Sequence, residues 1–304
     1  MSGYVDLQVN GYAGVDFNAL DLTLEEFQYA VERILADGTS QFLPTLITAP
    51  WGEMLAKLER ISGWIESGEV SSDVVPGLHI EGPFLSPVEG FIGAHPKASA
   101  IPATTHRADE LLDSGRGFVR LVTLAPEVDE RAAVTRFLSD RGVVVAAGHS
   151  DASLDELKQA IDQGLSLYTH LGNGCPSMLS RHDSIIQRVL SLGDHLSVSF
   201  IADGHHVPFF ALGNYLSVLN DDRVIIVTDA ISAAGLGPGR YELADQIVEV
   251  DEEGAAWAAC RTHYAGCATP LPKMIDALRS VLSVSDQQIQ AWFIENPKRL
   301  LQPK

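Results

Sequence analysis

The chain has 304 residues, 46% of them hydrophobic, which is enough for one large or two modest domains with a sizeable core and excludes a disordered chain. Its 40 acidic residues against 21 basic ones leave a net charge of −19, a field that disfavours nucleic acid and anionic membrane surfaces as partners. No apolar run reaches the roughly 18 residues that a membrane span needs, and the N-terminus carries no basic, apolar leader pattern, so a cytoplasmic protein is expected.

Short apolar runs alternate with amphipathic segments, the pattern of repeated βα units around a parallel sheet. Eight runs read as strands, at 4–10, 39–46, 74–82, 118–126, 142–150, 165–173, 196–204 and 223–230. Several are apolar on both faces, as buried parallel strands are. In the first, Gln8 and Asn10 alternate onto one face, where histidines at the same spacing would aim two imidazoles at one metal; the residues present are amides.

Between the first two runs Leu24, Phe27, Val31, Ile34 and Leu35 form one helical stripe, with Thr23 and Glu26 placed as a capping box. The same signal recurs at Ser153 and Glu156, ahead of Leu157, Ala160 and Ile161, and Gly164 closes that helix. Eight strands with intervening helices in about 250 residues predict a (β/α)8 TIM barrel rather than an open doubly wound sheet. After Asp229 a glycine-rich and then alternating stretch interrupts the eighth unit, so a β-hairpin excursion is expected there, before a helix over Leu271 to Leu282. Gly235, Gly237 and Gly239 read as turn formers, because no Lys-Ser/Thr follows to complete a phosphate-cradling loop. The three cysteines, Cys175, Cys260 and Cys267, are scattered and odd in number, so reduced thiols are expected rather than a disulfide framework.

In a barrel, chemistry collects at the C-terminal ends of the strands. Glu81 ends the third run, His149 the fifth and His170 the sixth; Asp203 and His206 follow the seventh, and Asp229 ends the eighth. A lone histidine there is easily satisfied by a backbone carbonyl, and its usual role is structural. An acid such as Glu81, between LHI and GPF, needs a partner if it is buried. Two neutral imidazoles and a carboxylate suit Zn²⁺ or a similar divalent ion, and three protein ligands leave a position open for water. Asp229, after the apolar VIIVT, is placed to take and return a proton; its plainer reading is a turn or cap acid.

The ordered segments DLQVNGYAGVDFN, HIEGPFLS, GAH, GHSDAS, THLGNG, IADGHHV, VTDAISAAGL and ENPKRLL resemble the N-acetylglucosamine-6-phosphate deacetylases of the amidohydrolase superfamily. The resemblance covers nearly the whole chain. It implies a metal-dependent (β/α)8 barrel that hydrolyses the N-acetyl group of N-acetylglucosamine 6-phosphate to give acetate and an amine. It makes Glu81, His149 and His170 the metal ligands and Asp229 the catalytic acid and base. His95 and His206 match histidines that touch the substrate, Asn173 and Gly174 match a substrate-holding loop, and Arg181 matches a phosphate-binding arginine that reaches across a homodimer. Gln8 and Asn10 resemble the Gln-x-Asn pair of the single-metal branch, which implies one divalent ion, zinc first, with iron, cobalt or manganese as alternatives.

The chain departs from the family pattern in three places. Residues 1–304 read as a single barrel domain without the accessory β-sandwich; LGNGCPSM stands where LFNAM is usual; and AGC replaces AGS before the eighth helix. These changes at the pocket leave two alternatives, an amidohydrolase for another N-acyl sugar or N-acyl amino compound, and a non-catalytic sugar-binding barrel. The retained Asp229 and three ligands argue for the enzyme.

Overall fold

A computed structural model describes residues 3–243, 246–258, 261 and 264–302; Cys260 lies outside the described residues. Eight parallel strands follow one another round the sheet in chain order: β1 (Tyr4–Val9), β2 (Thr39–Ile47), β3 (Leu78–Glu81), β4 (Val119–Leu124), β5 (Val144–Ala147), β6 (Leu165–Tyr168), β7 (Ser197–Ile201) and β8 (Val224–Val227). Each lies inside its predicted run except β2, which continues one residue further, to Ile47. Between them run α1 (Leu24–Ala36), α2 (Trp51–Glu66), α3 (Thr105–Ser114), α4 (Ala133–Ser139), α5 (Leu154–Asp162), α6 (Ile185–Leu190) and α7 (Phe209–Ser217). The fold is a (β/α)8 barrel, as the spacing predicts.

The barrel closes between β1 and β8 with little ladder. One parallel bridge joins Val9 to Ala230, and Asn10 N donates to Ala230 O at 2.7 Å. Below it a side chain takes over: the Asp6 carboxylate accepts from Thr228 N at 3.2 Å and from Thr228 Oγ1 at 2.6 Å. Asp6 is buried, and burial pushes its carboxyl up to about 7, against the hydrogen bonds from Thr228.

The helices form for the reasons visible in their sequences. In α1 the Thr23 hydroxyl accepts from Glu26 N while Glu26 accepts from Thr23 N, and Ser153 with Glu156 repeats the box at α5; each cap contributes about 1 kcal/mol. Phe27, Ala30 and Ile34 of α1 face the barrel, whereas Leu35, placed on the stripe by spacing, is 40% exposed.

The expected hairpin after Asp229 is larger in the structure. Four antiparallel strands, β9 (Gly239–Leu243), β10 (Gln246–Val250), β11 (Ala255–Ala258) and β12 (Tyr264–Cys267), form a meander before α8 (Leu271–Leu282). Val248, Val250 and Ala256 build a small core of their own with Ala233 and Ala268. The sheet is stitched back to the barrel where Ile231 N donates to Cys267 O at 3.0 Å. The first hairpin shows in the sequence as alternation; the last two strands are only four residues each, AAWA and YAGC, too short to show a period.

Candidate metal centre and active site

Four strand ends supply the centre, and the backbone turns the same way at each of them. His149, His170 and Asp229 have φ of 51°, 31° and 51°, and Glu81 is followed by Gly82 at 84°. A left-handed residue costs a non-glycine side chain roughly 1–2 kcal/mol. The strain is tolerated where a buried, hydrogen-bonded surround fixes the corner, and its recurrence at three polar strand ends marks a functional rim.

Glu81 is the hub. Its Oε1 lies 2.9 Å from His170 Nε2 and 3.4 Å from His149 Nε2, and its Oε2 lies 3.8 Å from His95 Nε2. All four residues are buried. Burial alone would raise the Glu81 carboxyl, but the imidazoles of His149 and His170 hold it well below the usual carboxylate range. On His170, burial is outweighed by Glu81, and the imidazole is raised. His95 is pushed down to about 3 by burial and by His149, so it is neutral at physiological pH.

The outer hydrogen bonds decide which ring nitrogens face the centre. His149 Nδ1 lies 3.0 Å from Phe91 O, a pure acceptor, so Nδ1 carries the proton and Nε2 presents its lone pair to Glu81. Thr48 Oγ1 donates to Glu81 O at 3.3 Å, so the 3.0 Å contact with His95 is made by His95 Nδ1–H, and His95 Nε2 is likewise an acceptor. Lone pairs on two imidazoles and a carboxylate therefore face one another with no proton between them. Donor atoms of Glu81, His95 and His149 all lie within 4.8 Å of one another. Such a set fits a divalent cation. His170 Nδ1 is buried without a partner among the described residues, another polar atom that the protein alone leaves unsatisfied.

Gln8 and Asn10 lie where the first strand predicts, and they act on the acids. Gln8 Nε2 donates to Glu81 Oε1 at 3.1 Å and to Asp229 Oδ1 at 3.0 Å, while its Oε1 accepts from Thr169 Oγ1 at 2.8 Å. Asn10 Nδ2 donates to the same Asp229 Oδ1 at 2.7 Å. Both amides thus spend their donors on one side of Asp229. Burial and the charge of Glu81 raise the Asp229 carboxyl.

The remaining predicted residues are brought in to different degrees. His206 is held by Asp203, whose Oδ2 accepts its Nδ1 at 2.7 Å while Oδ1 accepts two backbone N–H groups at 2.9 Å each. Burial would raise Asp203, but His206 keeps it below its ordinary value. Cys267 joins these two in a second group of possible ligands within 4.8 Å. Both Asp203 oxygens are already satisfied, and burial pushes the Cys267 thiol well above its usual range, so this group supports His206 rather than facing lone pairs at a cation. Asn173 turns back on the strand end, its N and Nδ2 donating to His170 O at 2.9 and 3.2 Å, and Gly174 packs on His149. Arg181 is exposed on the loop after β6 and is not brought to the centre within this chain.

Sequence reasoning missed Thr48, Thr169 and Asp6, which orient His95, Gln8 and the β1–β8 seam. Nothing in a threonine or a buried aspartate announces its partner across the barrel. Asp203 was visible as a strand-end acid, but its role on His206 follows only from the turn that folds Gly204 and His205 between them.

No family model matches the chain. It is 35% identical over 276 residues to N-acetylglucosamine-6-phosphate deacetylase of Bos taurus, covering 88% of this chain and 66% of that protein. It is 30% identical over 282 residues to N-acetylgalactosamine-6-phosphate deacetylase of Escherichia coli O157:H7, covering 93% of this chain and 72% of that one. Among solved structures, a mutant N-acetyl-D-glucosamine-6-phosphate deacetylase from Mycobacterium smegmatis, in complex with N-acetyl-D-glucosamine-6-phosphate, superposes with a TM-score of 0.87 at 28% identity, covering 99% of this chain and 77% of that one. The chain thus spans just under two thirds of the bovine relative's length.

Proposed function

Because the chain belongs to the N-acetylglucosamine-6-phosphate deacetylase family, we propose that it removes the N-acetyl group from an amino-sugar phosphate, N-acetylglucosamine 6-phosphate first, giving acetate and the free amine. The observation that carries the chemistry is the pair of acceptors, His149 Nε2 and Glu81 Oε1, facing each other at 3.4 Å. Glu81 and His149, with His170 as the third ligand that the resemblance implies and His95 Nε2 in the same cluster 3.8 Å from Glu81 Oε2, would hold one divalent ion, zinc first, with iron, cobalt or manganese fitting the same donors. Bound there, such an ion supplies Lewis acidity to water and to the acetamide carbonyl.

The chain's own groups handle the protons. Asp229 Oδ1 is occupied by Gln8 and Asn10, which leaves Oδ2 to take a proton from the attacking water. The water oxygen joins the acyl carbon, the C–N bond breaks, and Asp229 returns the proton to the amine nitrogen. The oxyanion formed on the way needs a hydrogen-bond donor. His95 and His206 each spend Nδ1 on Thr48 and Asp203, which leaves Nε2 of either ring for the substrate, and the positive charge of a bound ion would supply the rest of the oxyanion's stabilisation.

Asn173 and Gly174 would line the sugar subsite. The exposed Arg181 would reach the phosphate of a neighbouring subunit in a homodimer. We read residues 1–304 as one catalytic barrel domain. A cytoplasmic location belongs to the same proposal, since sugar phosphates are charged and do not cross membranes unaided. A second reading, the galacto epimer, is favoured by the Escherichia coli relative, the one that covers 93% of this chain.

Acetate release from N-acetylglucosamine and N-acetylgalactosamine, each with and without the 6-phosphate, tests the substrate. The proposal expects efficient turnover of a 6-phosphate only. Equal efficiency without phosphate contradicts it.

A further inference from the structure

His149 stands just beyond β5 with a left-handed φ of 51°, and one carboxylate takes up the two residues that follow it. Glu127, in the loop after β4, accepts from Ser150 Oγ at 2.6 Å on one oxygen and from Asp151 N at 2.8 Å on the other. Ser150 is fully buried, and its hydroxyl also accepts from Ala152 N at 2.9 Å, so the turn is wound around that side chain. From the loop after β3, Ser86 N donates to His149 O at 3.1 Å and Phe91 O holds the ring at Nδ1. Asp129, two residues from Glu127, faces elsewhere: it accepts from Val134 N, Thr135 N and Thr135 Oγ1, each at 2.8 Å, all in α4. Two acids of one loop thus serve different ends, one the start of a helix and the other the rim of the barrel.

We propose that Glu127 is a positioning residue for the ion site: it pins the turn after β5 through Ser150 and Asp151, and so keeps His149 Nε2 aimed at the ion. The inference rests on the reading of His149 as an ion ligand. A side-chain-bearing residue at positive φ relaxes towards an ordinary conformation unless its surroundings hold it there. Without Glu127 the turn is freed on its C-terminal side, and the His149 ring moves with its backbone, because Phe91 O fixes only one ring atom. The outer contacts that orient a ligating imidazole are worth about ten- to a hundredfold in metal affinity. The role asks for hydrogen bonds and not for charge. In Glu127→Gln the amide oxygen accepts from Asp151 N, and the amide N–H donates to Ser150 Oγ, whose hydroxyl has a second lone pair.

Asp129→Ala is the control, since it strands three donors in the same loop without touching the turn after His149. The test measures Zn²⁺ affinity of the metal-stripped chain by chelator competition for wild type, Glu127→Ala, Glu127→Gln and Asp129→Ala. The thermal midpoint of each stripped chain is taken alongside, and all titrations are run below the lowest of them. The expected result is Zn²⁺ binding weakened about tenfold or more in Glu127→Ala and close to wild type in Glu127→Gln and Asp129→Ala, although Asp129→Ala lowers the midpoint. If Glu127→Ala does not fold, Ser150→Ala, which removes the 2.6 Å bond, takes its place with the same expectation. If Asp129→Ala does not fold, the contrast between the alanine and glutamine variants at Glu127 decides. Zn²⁺ bound as tightly by Glu127→Ala as by wild type, or weakened as much by Asp129→Ala or Glu127→Gln, overturns the positioning role while leaving the ion site standing. A wild-type chain that binds no Zn²⁺ overturns the ion site, and the role of Glu127 with it.

Discussion

The side-chain amide of Gln8 donates to Asp229 Oδ1 at 3.0 Å. The same nitrogen donates to Glu81 Oε1, so one neutral side chain stands between buried Glu81 and half-buried Asp229. A second cation bridging those acids would meet the N–H donors of Gln8 there. The expected metal content is therefore one ion per chain, measured by elemental analysis of protein purified without added metal; two ions per chain would show that the amides do not block the second position.

Removing the bridge has a structural cost. Gln8→Ala leaves the Thr169 hydroxyl without its acceptor and the two carboxylates without a shared donor. The expected loss is about 1–3 kcal/mol of stability, the range for stranding buried polar groups, and urea titration reads it. Gln8→Glu, similar in shape, puts a third carboxylate in the gap and is expected to cost the metal-stripped chain more than Gln8→Ala does.

Asp6 gives stability a pH dependence of unusual sign. Its ordinary value is 3.8 and burial raises it to about 7 in the fold. Between those values the folded chain keeps a proton that the unfolded chain has released, so this contribution to stability falls as the pH rises. His79 and His95 act the other way: held down to about 4 and about 3 from an ordinary 6.5, they make stability fall as the pH drops below 6.5. Asp6→Asn removes only the first effect. The stability of wild type relative to Asp6→Asn should therefore decrease steadily from pH 4 to pH 7 in denaturant titrations. A constant difference would mean that Asp6 titrates at its ordinary value.

Arg181→Ala separates phosphate recognition from chemistry. Arg181 is exposed and takes no part in the proposed proton transfers, so its loss should raise KM for the 6-phosphate substrate about tenfold or more and leave kcat within about twofold. An unchanged KM would remove Arg181 from the phosphate site.

The barrel was legible because parallel strands buried on both faces leave apolar runs, and each such run ends where the chain leaves the core. That boundary is also where Glu81, His149, His170 and Asp229 stand, so strand ends and site residues were read from one signal. What stayed hidden depends on contacts far apart in the chain. Gln8 reaches Glu81 across 73 residues and Asp229 across 221, and no local pattern encodes those distances. The meander after β8 was half seen, because alternation survives in its first two strands and fades in the short ones that follow. His95 was read as a substrate residue; its place beside Glu81 and its tautomer follow from Thr48, a residue with no distinguishing context in the sequence.

The central claim is that one ion and the Asp229 carboxylate together hydrolyse the amide. Its most direct test pairs metal analysis with acetate release from N-acetylglucosamine 6-phosphate for wild type and Asp229→Asn. The account predicts about one ion per chain in both proteins, turnover by wild type, and a loss of about a hundred- to ten-thousandfold in the variant, the range for removing a general acid and base. Turnover retained by Asp229→Asn with its ion in place would contradict it.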